Sequence, residues 1–443
     1  MVALPITDRS LSSPLLSLNG RVIKVDEFLG SAAALAQSLS AGAPVINLCE
    51  SRAHFSIGFA AALMSGAPSL LPANRLARSI DALLSTHPDA CVLADCAMDQ
   101  MRAPVLHPGD FLNANPVSAI PEFPAEQLAA VVFTSGSTGC ESRINKPWST
   151  LYHSSRINHA HYGPVASIHA IATVPPQHMW GLETSVLMPW FAPITMHDGQ
   201  PFFAADVVAA LEKLPEPRML ISTPFHLRVL SETQSDLPAV QSIYSATAPL
   251  SQELAACLES RTGGQVSEVY GCSETGCLAH RFSARGERWR LFDGFDLNGG
   301  PRLFEVNAAH LPAPVRLMDQ LAMCGEQHFE LVGRSADLVN IAGKRASLAA
   351  LTNTLLEIPG VIDGVIFQPP EHAEGRVERL AAFVVAPNWR ATDLRQHLSE
   401  RIDAAFMPRP LRLVDALPRA ESGKLPQRLL FDFFHQNSQT ASA

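Results

Sequence analysis

Residues Ala129 to Gly139 read AAVVFTSGSTG, and the fold is decided by how that stretch is read. Ala129 to Phe133 are apolar and β-prone, so they predict a buried strand. They run straight into Thr134-Ser135-Gly136-Ser137-Thr138-Gly139, a hexapeptide of hydroxyls and glycines without a bulky side chain. Glycine lets a backbone turn tightly and bring its N–H groups close to an anion, and hydroxyls add donors for phosphate oxygens. The stretch therefore reads as a strand feeding a phosphate cradle; the competing reading is a flexible Ser/Gly turn. It is not a Gly-x-x-x-x-Gly-Lys-Ser/Thr loop, a string that occurs nowhere in the chain.

Upstream of the loop, short apolar runs alternate with helical periodicity. Val45–Leu48, Ser69–Leu71 and Ala90–Leu93 read as strands, and Phe55–Leu63 and Leu76–Leu84 as helices. Alternating β and α units imply an α/β fold with a largely parallel sheet covered by helices. Downstream, Ser242–Ser245 and Val266–Tyr270 read as further strands, and Thr223-Pro224 opens a helix with Thr223 as its cap. Beyond about residue 335 the pattern changes. Ser347 caps a helix with Leu348, Leu351, Leu355 and Ile358 on one face, Val361–Phe367 and Leu380–Val385 follow as strands, and Leu394, Leu398 and Ile402 mark another helix. The polar tail from His435 to Ala443 reads as disordered.

Length and charge narrow the function classes. A chain of 443 residues exceeds one small core and implies two or three domains. The net charge of −9 argues against nucleic acid as a partner. Eight cysteines without a Cys-x-x-Cys pair argue for free thiols rather than a zinc site. The N-terminus lacks a basic stretch followed by an apolar core, and no apolar run approaches the ~20 residues of a membrane helix. A cytoplasmic protein without a membrane span is the expectation.

Three further stretches give the loop its context: Tyr270-Gly271-Cys272-Ser273-Glu274-Thr275, Gly333-Arg334-Ser335-Ala336-Asp337, and Pro418 to Lys424 ending in Ser422-Gly423-Lys424. Together with the hexapeptide, and in this order, they resemble the signature of the adenylate-forming superfamily of acyl-CoA synthetases, luciferases and peptide-synthetase adenylation domains. The resemblance implies a large N-terminal domain of layered, mostly parallel sheets, residues 1–335, and a small mobile α+β lid, residues 336–443. It implies ATP-dependent activation of a carboxylic acid to an acyl-adenylate, followed by transfer to a phosphopantetheine thiol of an acyl carrier protein or coenzyme A. The short chain, Lys146-Pro147-Trp148 after the loop and Pro175-Pro176-Gln177-His178 look most like the aryl or acyl carrier-protein ligases of pigment and aryl polyene clusters.

The same resemblance assigns site residues. Lys424 is the adenylation lysine and Glu274 the Mg²⁺ ligand, a hard cation on a carboxylate oxygen. ATP falls to the hexapeptide Thr134, Ser135, Gly136, Ser137, Thr138 and Gly139, to Thr247, Ala248 and Pro249 against adenine, to Gly271 and Ser273 beside the α-phosphate, and to Asp319 and Arg334 at the ribose. The usual Pro-Lys after the loop is absent; Lys146 or Arg143 takes its place at the phosphates. His178, Trp180, Ser245 and Tyr270 are the expected acid-pocket residues, implying a flat, aromatic acid. Two other classes compete: a non-catalytic nucleotide-binding regulator, and a serine hydrolase built on Ser273.

Overall fold

The computed structural model describes residues 2–439 except 73, 97, 99–102, 136–140, 301–302, 335–337, 342–343, 370–378 and 421–422; for 134–135, 141–142, 334, 338, 340, 344–345 and 437–439 it describes the backbone alone. Two sheets dominate. A six-stranded sheet runs in the order Glu141–Pro147, Leu128–Ser135, Ser69–Leu71, Val45–Asn47, Cys91–Leu93, Val105–Leu106. Every neighbouring pair in it is parallel except the first, a hairpin closed at residues 136–140. The second sheet has eleven strands. At its centre Gln265–Cys272, Ser242–Ser245, Arg218–Ser222, Ile168–Ala172, Ile194–His197 and Pro14–Leu18 run parallel in that order. Antiparallel strands flank this centre on both sides.

The layering follows from which faces are apolar. Between the sheets lie the helices Val25–Ala36, Arg52–Met64 and Trp148–Tyr162, packed in one core where Phe28, Phe59 and Trp148 each meet the ring of Trp190. The helices Ala204–Lys213, Pro224–Ser231 and Gln252–Thr262 cover the outer face of the large sheet, and Ala77–Thr86 covers the outer face of the small one. Central strands buried on both faces read as near-continuous apolar runs, which is why Val45, Ile46, Leu70 and Val131 carry no polar alternation.

The C-terminal part has its own cores. A three-stranded sheet of Asp363–Phe367, Ala381–Val385 and Leu411–Leu413 packs against the helices Leu348–Leu356 and Ala391–Ser399. Ser347 caps the first of these, its Oγ accepting from Ala350 N at 3.4 Å. The expected disorder of the tail is corrected for His435 to Gln439, which belong to a helix running from Gln427 to Gln439; residues 440–443 lie outside the described residues. Leu430 and Phe434, four residues apart, anchor it on Phe367 and Phe383, and this apolar stripe upstream of His435 carries the helix into the polar residues. The expected boundary at 335/336 lies outside the described residues. Among the described residues no helix is long and apolar enough to cross a membrane.

Candidate active site

Parallel strands present their C-terminal ends on one side of a sheet, where crevices of open α/β folds take ligands. Four central strands of the large sheet end in this way. Ile168–Ala172 leads to Thr173–His178, Arg218–Ser222 to Thr223–His226, Ser242–Ser245 to Ala246–Pro249, and Gln265–Cys272 to the turn Ser273–Thr275. The hexapeptide begins at the end of Leu128–Ser135 in the other sheet; Gly136 to Gly139, and the side chains of Thr134 and Ser135, lie outside the described residues.

Glu274 is exposed in the turn between Gln265–Cys272 and the antiparallel strand Gly276–Arg281. Its backbone is held from below: Lys146 Nζ donates to Glu274 O at 2.8 Å. Lys146 is only 1% exposed, with its ammonium committed to that carbonyl. In the hairpin register it stands opposite Ala130, far from the closing residues, whereas Arg143 stands opposite Phe133 and is exposed. Burial pushes the Lys146 ammonium pKa down, opposed by the negative potential of Glu183, Cys272, Glu274 and Cys277. Ser273 is half-buried and followed by a strand, not a helix. A nucleophile elbow needs a strand-to-helix turn, so the hydrolase reading has no geometry here.

The antiparallel register sets Asp319 opposite Arg334, the pair expected at the ribose. Tyr270, expected in the acid pocket, donates its hydroxyl to Asp319 Oδ2 at 2.7 Å, and its ring rests on Trp289 and Phe329. The bond orients Asp319. The loop expected against adenine carries Thr247 at φ 84°, a left-handed conformation that is costly for a β-branched residue. Ala248 and Pro249 beside it are exposed. Glu268 Oε1 accepts from Leu250 N at 3.0 Å and Arg281 donates to Leu250 O at 3.1 Å, so the loop is tied to a buried Arg281–Glu268 pair of 2.7 Å.

His178 caps the helical segment Met179–Phe191 and is half-buried. Burial, helped by the charges of Lys424 and Arg75, holds its pKa at about 4, so it is neutral at physiological pH. Trp180 is buried and donates Nε1 to Ser222 O at 3.0 Å. Ser245 is fully buried. Lys424 is exposed on the C-terminal part, whose loop reaches this crevice. Gly423, buried and at φ 77°, lies so close to Thr223 that a Cβ would stand 3.3 Å from Thr223 Oγ1. Arg419 donates Nε and Nη2 to the two carboxylate oxygens of Asp363 at 2.7 and 2.6 Å and lies 5.2 Å over the Phe225 ring, and Arg228 donates to Leu356 O at 2.9 Å.

Sequence reasoning missed a buried polar cluster under the Glu274 turn. Ser154, Asn158 and Tyr162 share one face of the helix Trp148–Tyr162, and Glu183 enters from the π-helical turn Leu182–Leu187. Ser154 donates to Glu183, as do Cys277 N and Sγ at 3.1 and 3.2 Å. The signal was available as a polar residue every fourth place on one helix and a single acid in an otherwise apolar one. Gln177, in place of an aromatic, is buried and accepts from Arg75 at 3.4 Å. Among the described residues there is no group of three or more His, Cys, Asp or Glu able to hold a metal ion; a Mg²⁺ on Glu274 would take its remaining oxygens from phosphates and water.

Residues 26–295 match the family described as AMP-binding enzyme, and residues 352–424 match the AMP-binding enzyme C-terminal domain. The 4-coumarate–CoA ligase of Rhodobacter capsulatus is 28% identical over 308 residues, covering 68% of this chain and 75% of that protein. The 3,4-dihydroxybenzoate–[aryl-carrier protein] ligase of Bacillus anthracis is 21% identical over 69% of this chain and 74% of its own. In three dimensions, ATP-bound MatB from Rhodopseudomonas palustris superposes with a TM-score of 0.82 at 18% identity, covering 97% of each chain.

Proposed function

The chain belongs to the AMP-binding enzyme family, and from that premise we propose that it activates an aromatic carboxylic acid with ATP and passes the acyl group to a phosphopantetheine thiol. The acid's carboxylate oxygen attacks the α-phosphorus, the bond to pyrophosphate breaks, and an acyl-adenylate forms. The thiol sulfur then attacks the acyl carbon and AMP leaves. Negative charge gathers on phosphate oxygens in the first step, and positive groups fixed before the reaction begins stabilise it most.

Each residue then has a role set by its surroundings. Lys424, on a loop docked beside Thr223 and close enough to depress the basicity of His178, brings its charge to the α-phosphate. Glu274 would hold Mg²⁺, which would supply positive charge to the triphosphate, and Lys146 fixes the Glu274 backbone. Asp319, oriented by Tyr270, accepts from the ribose hydroxyls, and Arg334, opposite it in the strand register, is the expected donor there. Neutral His178 at the crevice keeps a cation away from the carboxylate nucleophile, whose attack a protonated imidazole would weaken. The hinge is Ala336, with residues 1–335 and 336–443 as the two bodies, and the second swings to admit the thiol. The acceptor is a carrier protein or coenzyme A; Arg401, Arg409 and Arg428 supply a local basic excess for either.

The observation that carries this reading is the convergence, at the ends of parallel strands, of Glu274, the Asp319–Tyr270 pair and the Lys424 loop. ATP–pyrophosphate exchange with a panel of benzoates, cinnamates and fatty acids tests it. Exchange driven by aryl acids is expected; exchange driven best by long-chain fatty acids sinks the aromatic assignment, and none with any acid sinks the function.

A further inference from the structure

Arg419, five residues before Lys424, bonds through Nε, Nη1 and Nη2 alike. Nε and Nη2 donate to the two carboxylate oxygens of Asp363, and Nη1 donates to Gly423 O at 2.8 Å. Asp363 opens the strand Asp363–Phe367, and its Oδ1 also accepts from Gly364 N at 2.8 Å, so the carboxylate is oriented from its own strand. The side chains of Arg419 and Asp363 are 20% and 9% exposed, and a pair so placed is little screened by salt. A planar guanidinium fits a carboxylate with two parallel bonds and leaves its faces open.

These bonds shape the lysine loop. Gly423 O belongs to the peptide unit that enters Lys424, and Arg419 holds it. Lys424 O belongs to the unit that leaves it, and Ala420 N donates to that oxygen at 2.8 Å. Gly423 N donates back to Ala420 O, again at 2.8 Å. The Cα of Lys424 is therefore fixed between two tethered peptide planes, and both tethers start within the C-terminal part.

The same guanidinium reaches the large domain. It lies 5.2 Å from the centroid of the Phe225 ring, a cation over an aromatic face. Phe225 also neighbours the loop itself, since a Cβ on Gly423 would stand 3.5 Å from Phe225 Cβ. Arg228, three residues on along the helix Pro224–Ser231 and so on the same side of it, donates to Leu356 O in the C-terminal part. One end of one helix of the large domain thus receives the lysine loop.

We propose that Arg419 is the positioning residue of the adenylation step: it sets the loop that carries Lys424 and, through the Phe225 ring, registers that loop against the large domain. This rests on the adenylating reading and adds to it the group through which Lys424 is placed. When the C-terminal part swings away, Asp363 and Gly423 travel with Arg419 and keep the loop in shape, whereas the contact with Phe225 is broken and remade in every cycle. A lysine cannot take over this work. Its point charge cannot bind Asp363 with two parallel bonds, reach Gly423 O and present a flat face to a ring.

The test is ATP–pyrophosphate exchange by the full-length protein, with whichever benzoate or cinnamate drives the parent fastest. Arg419→Lys lowers kcat by ~10²-fold, the cost of displacing a catalytic group by about 1 Å, and leaves the KM for ATP unchanged. The double variant Arg419→Lys, Lys424→Ala exchanges no more slowly than Lys424→Ala alone, because the arginine acts through the lysine. Should Arg419→Lys fail to fold, Phe225→Leu on the large domain serves in the same cycle. It slows exchange by ~10-fold, the scale of one partly buried cation–π contact, adds nothing to Lys424→Ala, and is rescued by Phe225→Tyr, which keeps the ring face. A double variant slower than Lys424→Ala by the full factor of the added substitution, or Phe225→Leu and Phe225→Tyr exchanging at one rate, overturns the proposal, while exchange by the parent leaves the adenylating function standing. Absence of exchange by the parent with every acid overturns that function instead, and this proposal with it.

Discussion

Lys146 and Lys424 carry the same side chain into two regions of opposite character. Lys146 lies in the core between the sheets, 1% exposed, with its ammonium on a backbone carbonyl and a buried acid nearby. Lys424 stands exposed on a loop of the C-terminal part, and its neighbour Gly423 packs beside Thr223 of the large domain. A buried, tethered cation can orient what it touches but cannot travel. An exposed cation on a separate body can be delivered to one reaction step and withdrawn for the next. The difference predicts opposite failure modes: chemistry without stability for Lys424, and stability before chemistry for Lys146.

The largest effect belongs to Lys424. Lys424→Ala should slow acyl-adenylate formation by ~10²–10³-fold, the scale of one preorganised electrostatic donor. Its ATP affinity, unfolding midpoint and rate of thioester formation from synthetic acyl-adenylate should stay near those of the parent. A parallel loss of both half-reactions would place Lys424 in a structural role and erase the contrast. Next comes Lys146→Met, which removes the ammonium bonded to Glu274 O and the field that opposes burial at Glu183. Losing a hydrogen bond made by a charged group costs about 1.5–3 kcal/mol, read as a lowered denaturant midpoint, and the Mg²⁺ concentration for half-maximal rate should rise because the Glu274 backbone is no longer held. An unchanged midpoint would show that Lys146 is as dispensable as a surface residue.

Glu274→Gln sharpens the comparison, since it alters the same turn from the solvent side. Adenylation should fall by ~10²-fold with a changed Mg²⁺ dependence but no shift in the unfolding midpoint; a Mg²⁺ titration identical to the parent's would remove Glu274 as the ligand. The smallest effect is expected at Thr247. Glycine accepts the φ of 84° that strains threonine, so Thr247→Gly should raise stability by about 1 kcal/mol, while Thr247→Val should not. Equal midpoints for the two would mean the loop relaxes around either residue.

Where the sequence reading succeeded, it used local signals. The strand Leu128–Ser135, the cap at Ser347 and the helix that follows it all appear where periodicity and capping chemistry place them. What it left open is which way a side chain faces after pairing. Lys146 reads as a phosphate ligand because it is the nearest lysine after the loop, yet it is buried with its ammonium on Glu274 O. Tyr270, an expected pocket aromatic, has its hydroxyl met by Asp319 from a strand forty-nine residues later. Trp180, another, points its indole N–H at Ser222 O on a neighbouring strand's end.

The order of motifs and their residue types sufficed to determine the α/β class, the family and the kind of reaction, because backbone conformation and motif spacing are written in adjacent residues. The identity of the groups that hold Glu274, orient Asp319 and cluster in the core beneath that turn was decided only by the tertiary structure. Those groups are Lys146, Tyr270, Ser154 and Glu183, which lie on separate strands and helices. Long-range strand register and the burial of whole helix faces bring them together, and neither quantity is encoded within a window of neighbouring residues.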